Sequence, residues 1–235
     1  MSATAATEFA PGLVVQRFSP PLAWQDFKAI AFDMDSTLIS IECIDEIADA
    51  VGKKAEVAAI TEAAMRGEIT DFKDSLRRRV ALLKGVPAEA LDTVYTERLR
   101  LNPGAQALID AAKAAGLQTL LVSGGFTHFA DRVRERLGMH EAHSNTLGIE
   151  GGLLTGEVLG DIVDGEAKKQ HLLALCARIG CPSSQAIAVG DGANDLLMMG
   201  VAGLSVAYHA KPKVREQAMV AINEGGLDRL LSLLR

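Results

Sequence analysis

Ala29-Ile30-Ala31-Phe32-Asp33-Met34-Asp35-Ser36-Thr37 is a short apolar run that stops abruptly at two acids. Four apolar residues without polar alternation fit a strand covered on both faces, the mark of a parallel sheet. The pattern returns in Thr119-Leu120-Leu121-Val122, which ends in Ser123-Gly124-Gly125. It returns again in Ala186-Ile187-Ala188-Val189, which ends in Gly190-Asp191-Gly192-Ala193-Asn194-Asp195. A fourth run, Leu204-Ser205-Val206-Ala207, follows closely. Helix-type spacing occupies residues 105–115, 129–137, 167–179 and 195–200. Strands alternating with helices predict an α/β fold on a doubly wound parallel sheet. Such sheets bind ligands outside the carboxyl ends of their strands, so three polar, glycine-bearing strand ends point to one site there.

Between the first and second strands lie four helical stretches, residues 41–51, 55–66, 72–83 and 88–100. A parallel crossover needs only one helix. The surplus predicts a small helical cap, residues 41–102, inserted after the first core strand and lying over the strand ends. Residues 23–40 and 103–235 then form the catalytic core. Residues 1–22 contain Pro11, Pro20 and Pro21 and show no sustained period. They are expected to be a loose extension with no domain of its own and one short strand at Leu13–Val15. Closely spaced glycines among β-type residues predict a hairpin within residues 145–160.

Apolar residues make up 49% of the 235, which excludes a disordered chain. The balance of 24 basic against 30 acidic residues gives −6, without the clustered positive charge that nucleic-acid binding requires. No stretch has the length and apolarity of a membrane span, and the first residues do not read as a secretory signal. No nucleic acid or membrane partner is expected, and the expected location is cytoplasmic. Cys43, Cys176 and Cys181 form no CxxC pair, which favours reduced thiols over a disulfide or zinc scaffold. Nothing in the sequence sets an oligomeric state.

Asp33 and Asp35 would share a face if the strand continued. Carboxylates that close repel one another unless a cation or a shared proton compensates, and Mg2+ prefers such oxygens. Turn and capping chemistry would also place Asp and Ser at a strand end. Ser123, Gly124 and Gly125 offer a hydroxyl and unhindered N–H groups ahead of a helix, suited to a phosphate or to an ordinary glycine turn. Two glycines flank Asp191, so the backbone there can approach a metal or anion. Asn194 and Asp195 either cap the next helix or join that site. Lys168 and Lys169 either neutralise a phosphate or lie on a solvated helix face. Arg79 falls inside the apolar stripe of Phe72, Leu76, Val80 and Leu83, whereas Arg77 and Arg78 point away. A guanidinium there needs an anion, from the protein or from a ligand. Glu42 falls on the polar side of its helix and gives no signal.

Phe32-Asp33-Met34-Asp35-Ser36-Thr37-Leu38, Ser123-Gly124-Gly125-Phe126, Lys168 and the stretch from Gly190 to Asp195 together resemble the four ordered motifs of the haloacid dehalogenase-like hydrolases. Within that family, Glu42-Cys43-Ile44-Asp45-Glu46, Ser75-Leu76-Arg77-Arg78-Arg79-Val80 and Ala207-Tyr208-His209-Ala210-Lys211-Pro212 are similar to the phosphoserine phosphatase branch. The resemblance covers about residues 27–235. It implies a Rossmann-like core, Mg2+ as cofactor and hydrolysis of the small molecule O-phospho-L-serine, the last step of serine biosynthesis, through an aspartyl-phosphate. Asp33 is then the nucleophile and Asp35 the general acid and base. Asp33, the Asp35 carbonyl and Asp191 hold the metal. Ser123, Gly124, Lys168 and Asn194 bind phosphoryl oxygens. Glu42 and Arg79 take the amino and carboxylate groups, and Phe72 and Met65 line the pocket. The alternative is a phosphatase or phosphotransferase for phosphothreonine, phosphohomoserine or another small phosphomonoester. A phosphate-binding signalling module is a third reading, which the cap and Asp35 oppose.

Overall fold

The computed structural model describes residues 6–66 and 68–235. The chain begins with β1 (Thr7–Ala10), β2 (Leu13–Val15) and β3 (Ala29–Phe32), then runs through α1 (Cys43–Ala50), α2 (Lys54–Met65), α3 (Phe72–Ala81), α4 (Glu89–Thr93) and α5 (Ala105–Ala114). It continues through β4 (Gln118–Phe126), α6 (Thr127–Leu137), β5 (Glu141–Glu150), β6 (Leu153–Leu159) and α7 (Gly165–Ile179). It ends with β7 (Ala186–Gly190), α8 (Leu196–Val201), β8 (Leu204–Tyr208), α9 (Pro212–Gln217) and β9 (Val220–Ile222).

Every residue of β3 is fully buried, as its unbroken apolar run requires. β3 pairs in parallel with β4 on one side and β7 on the other, within the order β1-β2-β9-β8-β7-β3-β4-β5-β6. The chain builds outward from β3 through β4 and β5, then crosses back to β7, β8 and β9. The strand order therefore reverses between β3 and β7, where doubly wound sheets leave a crevice at their carboxyl ends. Asp33 follows β3 directly and Asp191 follows β7 directly.

Helices α1 to α4 lie between β3 and β4 and form the cap. The chain enters and leaves it along adjacent antiparallel backbones. Ser40 N–H donates to the Arg100 carbonyl (2.9 Å) and Asn102 N–H to the Leu38 carbonyl (2.8 Å). The cap is also sewn to the hairpin of β5 and β6. Gly85 N–H donates to Leu154 O, Leu154 N–H to Val86 O and Ala88 N–H to Gly152 O, each at 2.8 Å.

The hairpin expected within residues 145–160 is present, and its first strand starts earlier because Glu141, Ala142 and His143 extend the core sheet beside β4. The first residues depart further from expectation. β2 is the short strand expected at Leu13–Val15, but β1 pairs with it and it pairs with β9, so the segment expected to be a loose extension continues the main sheet. Leu13 and Val15 alternate inward and are buried, which gives the segment an apolar face to place there. No helix among the described residues is long and apolar enough to cross a membrane.

Candidate active site

Asp33 N–H donates to the Val189 carbonyl at 2.9 Å, tying the end of β3 to β7. The Asp33 Oδ1 accepts the Met34 N–H at 2.7 Å and stands 2.7 Å from Lys168 Nζ. The same ammonium lies 2.7 Å from Asp195 Oδ1, and Lys168 and Asp195 are fully buried. Asp195 Oδ2 accepts the N–H groups of Asp191 (3.1 Å) and Gly192 (3.0 Å). Asp195 is therefore an anchor of the site and not a side-chain cap of α8. A Cβ on Gly190 would lie 2.4 Å from the Asp195 carboxyl carbon, which explains the glycine there. Of the two candidate lysines, Lys168 enters the site and Lys169 pairs outside with Glu166 at 2.8 Å.

Carboxylate oxygens of Asp33, Asp191 and Asp195 all lie within 4.8 Å of one another. Burial, then the Asp195 charge, pushes the Asp33 carboxyl well above the usual carboxylate range against the pull of Lys168. Burial, followed by the charges of Asp195 and Glu42, pushes Asp191 up to about 6. Thr37 Oγ1 donates to Asp191 Oδ1 at 3.0 Å. Burial alone would depress the Lys168 ammonium, and the charges of Asp195 and Asp33 reverse that and raise it. One ammonium beside three gathered carboxylates leaves excess negative charge on hard oxygen donors. That donor set fits a divalent, oxygen-preferring cation.

The strand does not continue through Asp35. The extended backbone ends at Asp33, and Ser36 takes a left-handed conformation with φ +58°, turning the chain out of the strand direction. Asn102 Nδ2 holds this turn by donating to the carbonyls of Thr37 (2.8 Å), Ile39 (3.1 Å) and Ser36 (3.3 Å). The Asp35 carboxylate instead meets the start of α1. Its Oδ2 accepts the Cys43 N–H at 2.9 Å, and its Oδ1 lies 3.3 Å from Cys43 Sγ. Burial, reinforced by the Glu42 charge, pushes Asp35 up to about 7. Burial and the Asp35 charge push the Cys43 thiol up as well, so it stays a donor.

Ser123 and Gly124 lie within a strand, not in a turn ahead of a helix. β4 continues through them to Phe126, with a break in register after Val122. Ser123 Oγ accepts the Gly125 N–H at 2.8 Å. The Gly124 carbonyl accepts from Asn145 Nδ2 (2.8 Å), and Asn145 Oδ1 accepts the Val163 N–H (2.8 Å). A cavity of about 770 Å³ opens between these strand ends and the cap. Asp33, Asp35, Ser123, Gly124 and Asn194 line it from the core, and Glu42, Phe72 and Arg79 from the cap.

Glu42 precedes the first turn of α1 and accepts a 2.6 Å hydrogen bond from Ser36 Oγ, so the helical period misplaces it as a bystander. Arg77 and Arg78 are exposed, and Arg79 is half-buried against the cavity. No described carboxylate forms an ion pair with Arg79, whose Nε reaches only the Ser75 carbonyl at 3.5 Å. Phe72 leans on Gly124, where a Cβ would lie 2.9 Å from the ring tip, and Lys73 Nζ meets Asp164 Oδ2 at 3.1 Å. The Met65 side chain lies outside the described residues. Cys43, Asn102 and Asn145 carry no sequence signal of their own, because their partners come from other segments of the chain.

Residues 27–203 match the family model of the haloacid dehalogenase-like hydrolases. The chain belongs to that family. This haloacid dehalogenase-like hydrolase is 66% identical over 233 residues to the phosphoserine phosphatase of Polaromonas sp., covering 97% of this chain and 99% of the relative. A solved phospho-aspartyl intermediate analogue of phosphoserine phosphatase is 39% identical, with a TM-score of 0.83 over 89% of this chain and 99% of that one. A substrate-bound phosphoserine phosphatase complex is 38% identical, with a TM-score of 0.83 and the same coverage.

Proposed function

We propose that this hydrolase removes phosphate from O-phospho-L-serine with Mg2+ as cofactor, in the cytoplasm, as the last step of serine biosynthesis. One observation carries the substrate reading: Arg79, half-buried and without an ion pair among the described residues, lines the same cavity as Asp33 and Asp35. A buried guanidinium attracts a carboxylate, and Glu42 beside it suits an ammonium. A phosphorylated amino acid supplies both groups and a phosphate.

In the first step the Asp33 carboxylate attacks phosphorus, forming an aspartyl-phosphate as the bond to the serine oxygen breaks. Asp35, whose carboxyl burial and then the Glu42 charge push up to about 7, gives its proton to that oxygen. In the second step the Asp35 carboxylate takes a proton from water, whose oxygen attacks phosphorus and releases Asp33 and phosphate. Lys168, Ser123, Gly124 and Asn194 orient the phosphoryl oxygens and offset their charge. Asp33, Asp191 and the Asp35 carbonyl would hold Mg2+, which when bound neutralises phosphoryl charge. Asp195 supports Lys168 from behind.

The test is phosphate release from O-phospho-L-serine with excess Mg2+ and with chelator, alongside Asp33→Asn. Release that needs both the metal and Asp33 is the expected result. A folded protein that releases phosphate from phosphothreonine or phosphohomoserine but not from phosphoserine overturns the substrate.

A further inference from the structure

We infer that Cys43 is a positioning residue for the Asp35 carboxyl, so that seating the cap's first helix aims the group that moves the proton. The inference rests on the acid and base role proposed above for Asp35. Its own basis is geometric. Asp35 belongs to the core loop after β3, whereas Cys43 opens α1 in the cap. Both carboxylate oxygens are taken by this one residue: Oδ2 by the backbone N–H at 2.9 Å and Oδ1 by the thiol at 3.3 Å. A carboxyl held at only one oxygen can swing about its terminal torsion, and two donors on separate oxygens fix its plane.

The surroundings support the assignment. Cys43 is fully buried, so no solvent competes for its thiol. The N–H involved belongs to the first turn of α1, where helix donors lack partners within the helix. Glu42 accepts from Ser36 Oγ at 2.6 Å, so the start of α1 is pinned to the Asp35 loop at a second point. Displacing α1 from the core would break all three contacts together and release Asp35.

Proton donation matters only when the leaving oxygen needs a proton. Phosphoserine releases an alkoxide-like oxygen, whereas p-nitrophenyl phosphate releases a phenolate that leaves without one. The experiment measures single-turnover aspartyl-phosphate formation from both compounds with Mg2+, for the natural protein, Cys43→Ala, Cys43→Ser and Asp35→Asn. Losing one hydrogen bond should slow Cys43→Ala on phosphoserine roughly 2- to 10-fold. KM and the p-nitrophenyl phosphate rate should hold, and Cys43→Ser, which keeps a donor, should recover most of the loss. Thermal unfolding of each variant identifies a variant that has lost its fold.

An equal loss on both compounds, no loss on either, or no recovery by serine overturns the role of Cys43. Should Asp35→Asn show no dependence on the leaving group, the acid role of Asp35 falls first. If Asp35→Asn shows that dependence and Cys43→Ala does not, only the inference about Cys43 falls.

Discussion

Lys168 Nζ stands 2.7 Å from Asp195 Oδ1 and 2.7 Å from Asp33 Oδ1, bridging the ends of β3 and β7 inside the protein. Removing the cation leaves two buried carboxylates facing each other. Lys168→Met should lower stability by about 3–5 kcal/mol, the usual scale for breaking a buried pair from one side. It should also abolish measurable turnover at temperatures where the variant is still folded. Urea unfolding beside phosphate release checks both parts, and a fully stable variant would refute the first.

Removal of metal should reverse the common dependence of stability on pH. Asp35 and Asp191 are pushed up to about 7 and about 6, and Asp33 is raised too, whereas unfolded aspartates titrate near 3.9. The folded, metal-free protein thus binds more protons than the unfolded chain over that interval, so stability falls as pH rises through it. With chelator, Tm should be higher at about pH 5 than at about pH 7.5, each 1 kcal/mol moving it by about 2–4 °C. Mg2+ should raise Tm more at the higher pH. Carboxylates held low, such as Glu68 beside Arg66, lose their contribution only at more acidic pH, outside this window.

Gly124→Ala probes the contact between cap and core. The new methyl carbon would meet the tip of Phe72 at 2.9 Å, and a ring tip can move aside. KM should rise several-fold while stability changes by less than about 1.5 kcal/mol. Steady-state kinetics and thermal unfolding give the two readings, and an unchanged KM would place Phe72 outside the binding path.

Arg79→Lys keeps the charge and loses the planar fork. Turnover of phosphoserine at low concentration should fall by about 10-fold or more, the scale of one charge-assisted hydrogen bond. Phosphoethanolamine, which has no carboxylate, should be turned over as before. Parallel kcat/KM measurements decide it, and equal losses would remove the carboxylate assignment.

The parallel core was legible because burial on both faces leaves no room for polar alternation in Ala29–Phe32 or Ala186–Val189. Arg79 was legible for a related reason, since a charge inside an apolar stripe contradicts its own helix. Helical spacing did not mark Glu42, which sits just before α1 where the period carries no information, and only the family resemblance singled it out. Asp195 stayed ambiguous until the fold brought Lys168 against it. Asn145 and Cys43 act through partners remote in sequence or outside any periodic element, so spacing alone does not mark them.

The hydrogen bonds from Gly85 and Ala88 to the hairpin, with those beside Ser40 and Asn102, join backbone to backbone, whereas Phe72 on Gly124 and Lys73 on Asp164 are side-chain contacts. These attachments differ in cost, and that difference sets the direction of any opening. A straight lift would strip the backbone bonds and leave their groups unpaired. A swing about the stitched edge spares them and parts side-chain contacts, among them Phe72 on Gly124 and Lys73 on Asp164. Hinging at that edge is the opening that leaves the fewest backbone groups unpaired.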